Sequence, residues 1–535
     1  MLKLADDSRF DLIVIGGGIN GAAITREAAL SGLRVLLLER DDLCAGTSAA
    51  STRLIHGGLR YLEHAEFSLV RESLHERERL LRTAPHLVEP LEIYLPLTRA
   101  SRRGRLTIRI GMTLYDLLSW GKSLPRHRML SRNAMLETLP GLSADSLLGG
   151  ASYYDAQVRY PERLVLENAL DAQAAHASIV LHTSARELLV ERGRIAGVTW
   201  QNDSGSGVAR AAVVVNAAGP WVDAVLGAHG NQKLIGGTRG SHLIVAPFNG
   251  APAHAIYAEA GSDGRPFFII PWNGLYLIGT TDERYTGDPG AAAMTSSEFD
   301  YLISETQRLF PAAADLADRV CYTYAGIRPL PNVASGSTAA ITRRHQVMPH
   351  PGIAGLYSII GGKLTTHRAL AEDCLGKLRP LLPQTGPSPT RERPLPGTLD
   401  ADDRDALLEE LEARFGALTA QRLWQTYGGF SRQILAAADD ADLAQRVGPG
   451  CEMLVAELAH TFGNEAAGSL IDCLQRRCML GLDVDFGRKL APVAADWLIR
   501  LGIRDKVQAQ QELADYAAFA RRFTQHSAAV DGLEA

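Results

Sequence analysis

From Asp11 to Ile15 the chain is apolar, breaks on glycines, and resumes as an alanine-rich helical period to Leu30 before a second apolar run from Val35 to Leu38. That pattern predicts a buried strand over 11–15, a turn over 16–21, a helix over 22–30 and a second strand over 35–38. A Ser/Thr/Gly-rich stretch covers 46–58, followed by an amphipathic helix over 67–81. A long helix is expected to begin at Pro161 and run to about His176. Residues 179–215 read as a meander, with turns at Arg192-Gly193 and at 203–207. Strand-like runs at 242–245, 266–270 and 275–278 predict a second, β-rich layer, and strand and helix return between Tyr357 and Leu378. Eight of the residues 379–398 are proline or glycine, the composition of a linker. Beyond it, 400–519 is helix-patterned and rich in Ala, Leu, Glu and Arg. With 535 residues the chain exceeds what one core organises. The division expected is an α/β (α+β) region over 8–378, a linker over 379–398 and a C-terminal all-helical domain over 399–525.

Charge and cysteine change this picture little. The net charge of −5 argues against nucleic acid as a partner, so any basic site must be local. The six cysteines form no C-x-x-C pair and suggest no metal site, only scattered thiols in a reducing compartment. The N-terminus carries Asp6 and Asp7 before its first strand, unlike a signal peptide. No apolar run reaches the roughly 20 residues that cross a bilayer.

The glycine turn carries the first chemistry. Gly16, Gly18 and Gly21 form G-x-G-x-x-G directly after a strand and before a helix. Gly16 permits the turn, Gly18 lets backbone approach a pyrophosphate, and Gly21 lets the helix pack close. The helix N-terminus supplies free N–H groups for the phosphates, and Glu39, at the end of the next strand, suits the ribose hydroxyls. No second glycine turn with an acidic strand end accompanies it, so the one dinucleotide must itself be the redox cofactor. Two features favour FAD: the small residues ending the strand before Gly219, and the turn Gly361-Gly362 leading through Leu364 and Thr365 into a helix. A helix N-terminus there would stabilise the negative charge of reduced flavin. The cofactor-holding set expected is Gly16, Gly18, Gly21, Glu39, Thr47, Ser48, Gly219, Gly361, Gly362, Leu364 and Thr365.

With these residues in view, the sequence resembles the FAD-dependent glycerol-3-phosphate dehydrogenases of the respiratory type, within the D-amino-acid-oxidase-like flavoproteins. The matching runs are DLIVIGGGING (11–21), RLIHGGLRYLE (53–63), NAAGPW (216–221), GSH (240–242), IPW (270–272), GTTD (279–282), GIRPL (326–330) and GGKLTT (361–366). PLPG (394–397), Tyr427-Gly428 and 475–482 extend the likeness into the helical part. The resemblance implies a Rossmann-like FAD-binding domain with a β-rich substrate domain. It implies hydride transfer from the C2 carbinol of sn-glycerol 3-phosphate to flavin N5, giving dihydroxyacetone phosphate, with electrons passing on to a quinone. It makes Arg60 and Arg328 substrate-anion ligands with Tyr61 beside them, puts Lys363 near flavin and substrate oxygens, and makes His56 and His242 candidates for the hydroxyl proton.

The residue types suit those roles. Guanidinium forks match a phosphate dianion, and histidine titrates near working pH. His56 lies in a glycine-flanked loop, whereas His242, at a strand start, reads equally as a packed core residue. Arg328 stands in an otherwise uncharged segment and needs an anion, for which a ligand competes with a hidden carboxylate. Two departures from the family pattern bear on the substrate. Arg53 stands where relatives usually carry lysine, and 158–164 (VRYPERL) replaces the usual Asp-Asp-Ala-Arg, keeping Arg163. That region lies on the substrate side in relatives, so another polyol phosphate, such as erythritol phosphate, competes.

Eight basic residues and one acid, Asp116, lie between Arg99 and Arg128, around the apolar helical run 106–120 that ends in Trp120. This suits an anionic membrane surface, and relatives are peripheral membrane enzymes. The expected location is cytoplasmic, attached to the inner face of the cell membrane. An oxygen-using oxidase, an amino-acid oxidase and a non-catalytic flavin-binding sensor are the competing functions, and the sequence leaves room for a homodimer.

Overall fold

The computed structural model describes residues 4–527 apart from 100, 334, 335, 337, 339, 340 and 385; the first three residues of the expected N-terminal stretch lie outside it. The strand Leu12–Ile15 is buried at every position and lies near the centre of a six-stranded sheet. Its neighbours are Val35–Leu38 and then Ser178–Val180 on one side, and Val214–Asn216 and then Leu356–Ile360 on the other, all parallel. Gln346–Pro349 closes the edge in antiparallel sense. Both faces of this sheet are covered, which is why its strands read as unbroken apolar runs. Leu12 and Val14 face the helices Ile19–Leu30 and His367–Leu378, while Ile13 and Ile15 face Leu188, Val198 and Trp200 of a four-stranded sheet. That smaller sheet is the expected meander, Ser184–Glu191, Arg194–Asn202 and Gly205–Arg210, with Ser8–Arg9 added in parallel.

The helix begins at Ile19, inside the expected turn, and is buried from Ile19 to Ala29 except at Asn20. Gly21 explains how close it sits to the strand, since a Cβ there would stand 1.8 Å from the Gly16 oxygen. The helix after Pro161 runs to Ala174 and packs beside it.

The β-rich layer is a mixed sheet of ten strands, larger than the sequence pattern implies. Thr238–Val245, Leu275–Gly279, Pro266–Trp272 and Ala255–Glu259 form its expected part. Val88–Thr98, Leu147–Val158 and Val320–Arg328 are long strands with no counterpart in the expected elements. A cluster of helices between Ala401 and Arg521 has its own core around Leu411, Leu423, Tyr427, Leu458 and Leu474. The proline-rich stretch before it is strapped onto the first domain: Thr390 donates to Glu27, Arg393 pairs with Asp171, and Glu167 accepts the Gly397 N–H.

Candidate active site

The dinucleotide turn opens a cavity of about 450 Å³ at the carboxyl ends of the parallel strands, the usual ligand position in such sheets. Its walls include Gly16, Gly18, Glu39, Thr47, Ser48, Gly219, Gly361, Gly362 and Leu364. Gly21 stands behind the turn and serves packing, and Thr365 lines the adjoining cavity. Gly16 has φ +108° and a Cβ there would lie 2.7 Å from the Ala217 oxygen, so only glycine makes this turn. Gly18 caps the helix without a side-chain hydrogen bond, leaving the amide donors of the first turn to other partners; Ser48 Oγ takes the Ile19 N–H. Glu39 accepts the Gly17 and Asp41 N–H groups, and burial raises its pKa. Asn20 Oδ1 is buried with no partner beside Gly361 and Gly362. A glycine cradle, an uncapped helix start and an acid at the strand end fit the diphosphate and ribose of FAD.

A second cavity of about 290 Å³ continues from the first, sharing Thr47, Ser51, Pro329, Gly362, Lys363 and Leu364 with it. The isoalloxazine end of FAD would be held at this junction. His56, Arg60, Tyr61, His242, Arg328, Lys363 and Thr365 all line this second space. The structure thus brings together side chains that sequence places more than 300 residues apart.

Lys363 Nζ donates to Ser73 Oγ at 2.9 Å and to the His56 carbonyl at 3.4 Å, and stands 4.7 Å from the centre of the Tyr61 ring. Burial pushes its pKa down to about 7, against the pull of Asp155, Glu72 and Glu66. Arg328 does have a protein carboxylate: Nη1 meets Asp282 Oδ1 at 3.1 Å, and Nη2 donates to Thr280 and to the Thr281 carbonyl. Burial pushes the guanidinium down to about 10, which leaves it cationic at neutral pH. Although burial opposes it, Arg328 and Arg343 hold Asp282 below the usual carboxylate range. Residue 240 must be glycine for this arrangement, because a Cβ there would lie 2.1 Å from the Arg328 guanidinium.

The two histidines differ. His242 is 1% exposed, stacks on Tyr324 and engages Thr52 Oγ1 through Nε2 at 2.9 Å, with Nδ1 unpartnered. Burial holds its pKa well below the ordinary value. His56 is half-buried, and its peptide N–H donates to Thr365 Oγ1 at 3.1 Å. Burial, with Lys363 and Arg77 nearby, pushes the imidazole down to about 3.

Arg343, Arg265, Asp282 and Tyr257 also line this cavity and were not singled out from the sequence. Arg343 Nη1 is buried without a partner, while Arg265 is occupied by Glu283 and Asp263. Arg343 gave no signal, since Arg343-Arg344 reads as a solvated pair. Asp282 was legible as the acid closing the GTTD run.

Arg53 and Glu162, one from each departure, belong together, and neither lines the cavity holding Lys363 and Arg328. Arg53 makes a bidentate pair with Glu162 at 2.8 and 2.9 Å and stacks on Trp272. Arg163 is wholly buried against Glu465 of the helical domain. None of the residues 158–164 lines the cavity holding Lys363 and Arg328: Arg159 pairs with Glu89, Glu162 with Arg53, and Arg163 with Glu465 of the helical domain.

A glycine-turn parallel sheet and an adjoining β-walled basic cavity define a flavoprotein oxidoreductase of the D-amino-acid-oxidase type, and the protein is FAD-dependent. A family model described as FAD dependent oxidoreductase matches residues 11–373, and one described as the C-terminal domain of alpha-glycerophosphate oxidase matches 388–503. A glycerol-3-phosphate dehydrogenase of Synechocystis sp. is 44% identical over 501 residues, covering 89% of this chain and 90% of that one. A D-erythritol 1-phosphate dehydrogenase of Brucella abortus is 37% identical, covering 89% and 95%. The crystal structure of the glycerol-3-phosphate dehydrogenase from Bacillus halodurans with FAD superposes with a TM-score of 0.77 at 25% identity, over 97% of this chain and 96% of that one. The chain belongs to the FAD-dependent glycerol-3-phosphate dehydrogenase family.

Proposed function

We propose that the protein oxidises sn-glycerol 3-phosphate to dihydroxyacetone phosphate and passes the electrons to a membrane quinone. The observation that carries the reading is a cavity continuous with the cofactor cradle and lined by Arg60, Arg328, Arg343 and Lys363 with one carboxylate, Asp282, facing them. Such an excess of cations calls for an anionic substrate, and forked guanidinium donors fit a phosphate. Bound FAD supplies the two-electron acceptor for the carbinol carbon. Arg60, Arg328 and Arg343 grip the phosphate, and Asp282 holds the last two in orientation. Lys363 donates to the substrate hydroxyl oxygen and stabilises negative charge there as its proton leaves. His56 takes that proton: its ring is neutral over the working range and faces the cavity, whereas the Nε2 of His242 is already engaged by Thr52. The incoming phosphate dianion offsets Lys363 and Arg77 and raises the basicity of the imidazole.

An apolar cavity of about 260 Å³ adjoins this one, sharing Leu59 and Tyr257, and runs to Phe67, Ile110 and Leu114 beneath the helix Arg105–Leu118. It supports an apolar ring acceptor arriving from a lipid surface. Among the described residues no helix is long and apolar enough to cross a membrane. The reading therefore includes docking of that helix on the anionic inner face of the cell membrane. The relative acting on D-erythritol 1-phosphate supports a second substrate reading, a four-carbon polyol phosphate in the same cavity.

The test is anaerobic. The purified yellow protein is mixed with sn-glycerol 3-phosphate or D-erythritol 1-phosphate, and flavin bleaching is followed. Bleaching by the first compound alone is expected, with recolouring by a short-chain quinone faster than by oxygen. Bleaching by neither compound refutes the assignment, and faster recolouring by oxygen makes the enzyme an oxidase.

A further inference from the structure

The peptide joining His56 to Gly57 is engaged on both sides. Its carbonyl accepts from Lys363 Nζ and Thr365 Oγ1, each at 3.4 Å, on the cavity side. Its N–H donates to Tyr115 Oη at 3.0 Å and Asp155 Oδ1 at 3.2 Å, away from the cavity. The two polar ends of one peptide plane point in opposite directions, so whatever fixes one end fixes the other. Tyr115 is 2% exposed and its hydroxyl lies 2.8 Å from both Asp155 oxygens. A hydroxyl has one proton and two lone pairs, so it can donate to the carboxylate while accepting the Gly57 N–H. Arg77 closes the cluster by pairing with Asp155. The approach is so close that a Cβ at residue 57 would stand 2.4 Å from Tyr115 Oη.

Tyr115 and Asp155 line neither the cofactor cavity nor the basic one. They touch neither substrate nor cofactor space, and a fully buried carboxylate held by three donors is costly to keep without a reason. We propose that Tyr115, with Asp155, is a positioning residue that fixes the His56–Gly57 peptide from behind and so holds Lys363 and His56 in register for the substrate hydroxyl. This rests on the polyol-phosphate reading of the cavity. Without the Tyr115 hydroxyl the peptide keeps one long hydrogen bond to Asp155, can rotate, and releases the carbonyl that steadies the Lys363 ammonium.

The test is a double-mutant cycle on the full-length holoenzyme. Tyr115→Phe keeps the ring in its packing, and its flavin content and melting temperature report folding. The limiting rate of anaerobic flavin reduction by sn-glycerol 3-phosphate is expected to fall about tenfold in Tyr115→Phe. Placed in Lys363→Met, the same change should cost less than about twofold, because residues acting through one another are not additive. Binding of inorganic phosphate to the oxidised enzyme, followed by the perturbed flavin absorbance, should stay unchanged in Tyr115→Phe, because Arg60, Arg328 and Arg343 grip the phosphate; weakened binding would mean a general loosening of the site and overturn the positioning role. If Tyr115→Phe purifies without flavin, it is reconstituted with excess FAD and read with the same expectation, and failure to take FAD back overturns the positioning role. An unchanged rate, or losses that simply multiply in the double variant, overturns the positioning role while leaving the cavity's assignment intact. A wild-type flavin bleached by neither polyol phosphate overturns both.

Discussion

Lys363 is the residue whose protonation the site controls most directly. It faces Asp155, Glu72 and Glu66, which favour its charge, and Arg343, which opposes it, but burial dominates and brings its pKa to about 7. The ammonium is therefore present below that value and lost above it. Since kcat/KM reports the free enzyme, log kcat/KM for sn-glycerol 3-phosphate is expected to descend as pH rises above about 7. In Lys363→Arg the descending limb should vanish from the range below pH 10, because a guanidinium stays charged, though the rate itself drops. A wild-type profile flat to pH 9 contradicts the assignment. At this scale the sequence was legible where a residue type stood in an unusual setting. His56 in its glycine-flanked loop and Arg328 in an uncharged run both reach the cavity. It was illegible where the partner was remote. Arg53 and 158–164 stood out as separate departures, yet Glu162 and Arg53 are a bidentate pair separated by 109 residues, each compensating the other.

The helix Arg105–Leu118 shows what an element can hide. Ile108, Met112 and Tyr115 face the core, while Leu106, Ile110 and Leu117 are 71%, 61% and 57% exposed, with Trp120 beyond them at 72%. A soluble surface rarely keeps such a stripe beside exposed arginines. Arg105 and Arg109 are exposed on the same helix, and Arg126 stands over the Trp120 ring, whereas Arg103 is taken up by Glu63 and Glu259. Each basic group near an anionic bilayer contributes about 1 kcal/mol, so Arg105→Glu with Arg109→Glu should weaken partition onto phosphatidylglycerol-rich vesicles by about thirtyfold or more. Co-sedimentation measures it; equal pelleting of wild type and variant would remove this helix from the interface. The apolar run 106–120 made the helix itself readable in advance. Three long strands of the β-rich sheet were not, and two of them show why. Val88–Thr98 contains Pro90 and Pro96, which argue against a central strand. The structure accommodates them because Leu147–Val158 pairs along its whole length on one side, while Ala255 and Ile256 pair only with Ile93 and Tyr94 on the other. In Leu147–Val158 the glycines weaken the strand pattern, yet Gly150 is required, since a Cβ there would lie 2.6 Å from the Leu95 oxygen.

At the scale of the whole molecule, the helical C-terminal domain was predicted as a separate unit with no role attached. The structure ties it to the segment that walls the cofactor cavity. Asp42 lies between Glu39 and Thr47, whose neighbours Arg40, Asp41, Ala45 and Gly46 also line that cavity. It is fully buried and bound bidentately by Arg477 at 2.7 and 2.8 Å across 435 residues of sequence, a separation that no local pattern reveals. Arg163–Glu465 adds a second buried pair on the helix packed beside the glycine-turn helix, and Tyr427 stacks on Arg163. A buried ion pair contributes little over a hydrophobic contact, but removing one partner strands a charge and costs about 3–5 kcal/mol. Here the charge left behind would be Asp42, with Arg476 still 3.7 Å away, and because it sits on the segment that carries Thr47 and Ser48 into the cofactor cavity its relaxation moves that segment. Arg477→Ala should therefore lose flavin before it loses its fold. The expected result is a purified protein with a lowered ratio of absorbance at about 450 nm to that at 280 nm, restored in part by excess FAD, and a melting temperature that depends on FAD concentration more steeply than that of the wild type. Full flavin loading with a lowered melting temperature would mean instead that the domain stabilises the fold without governing the cofactor.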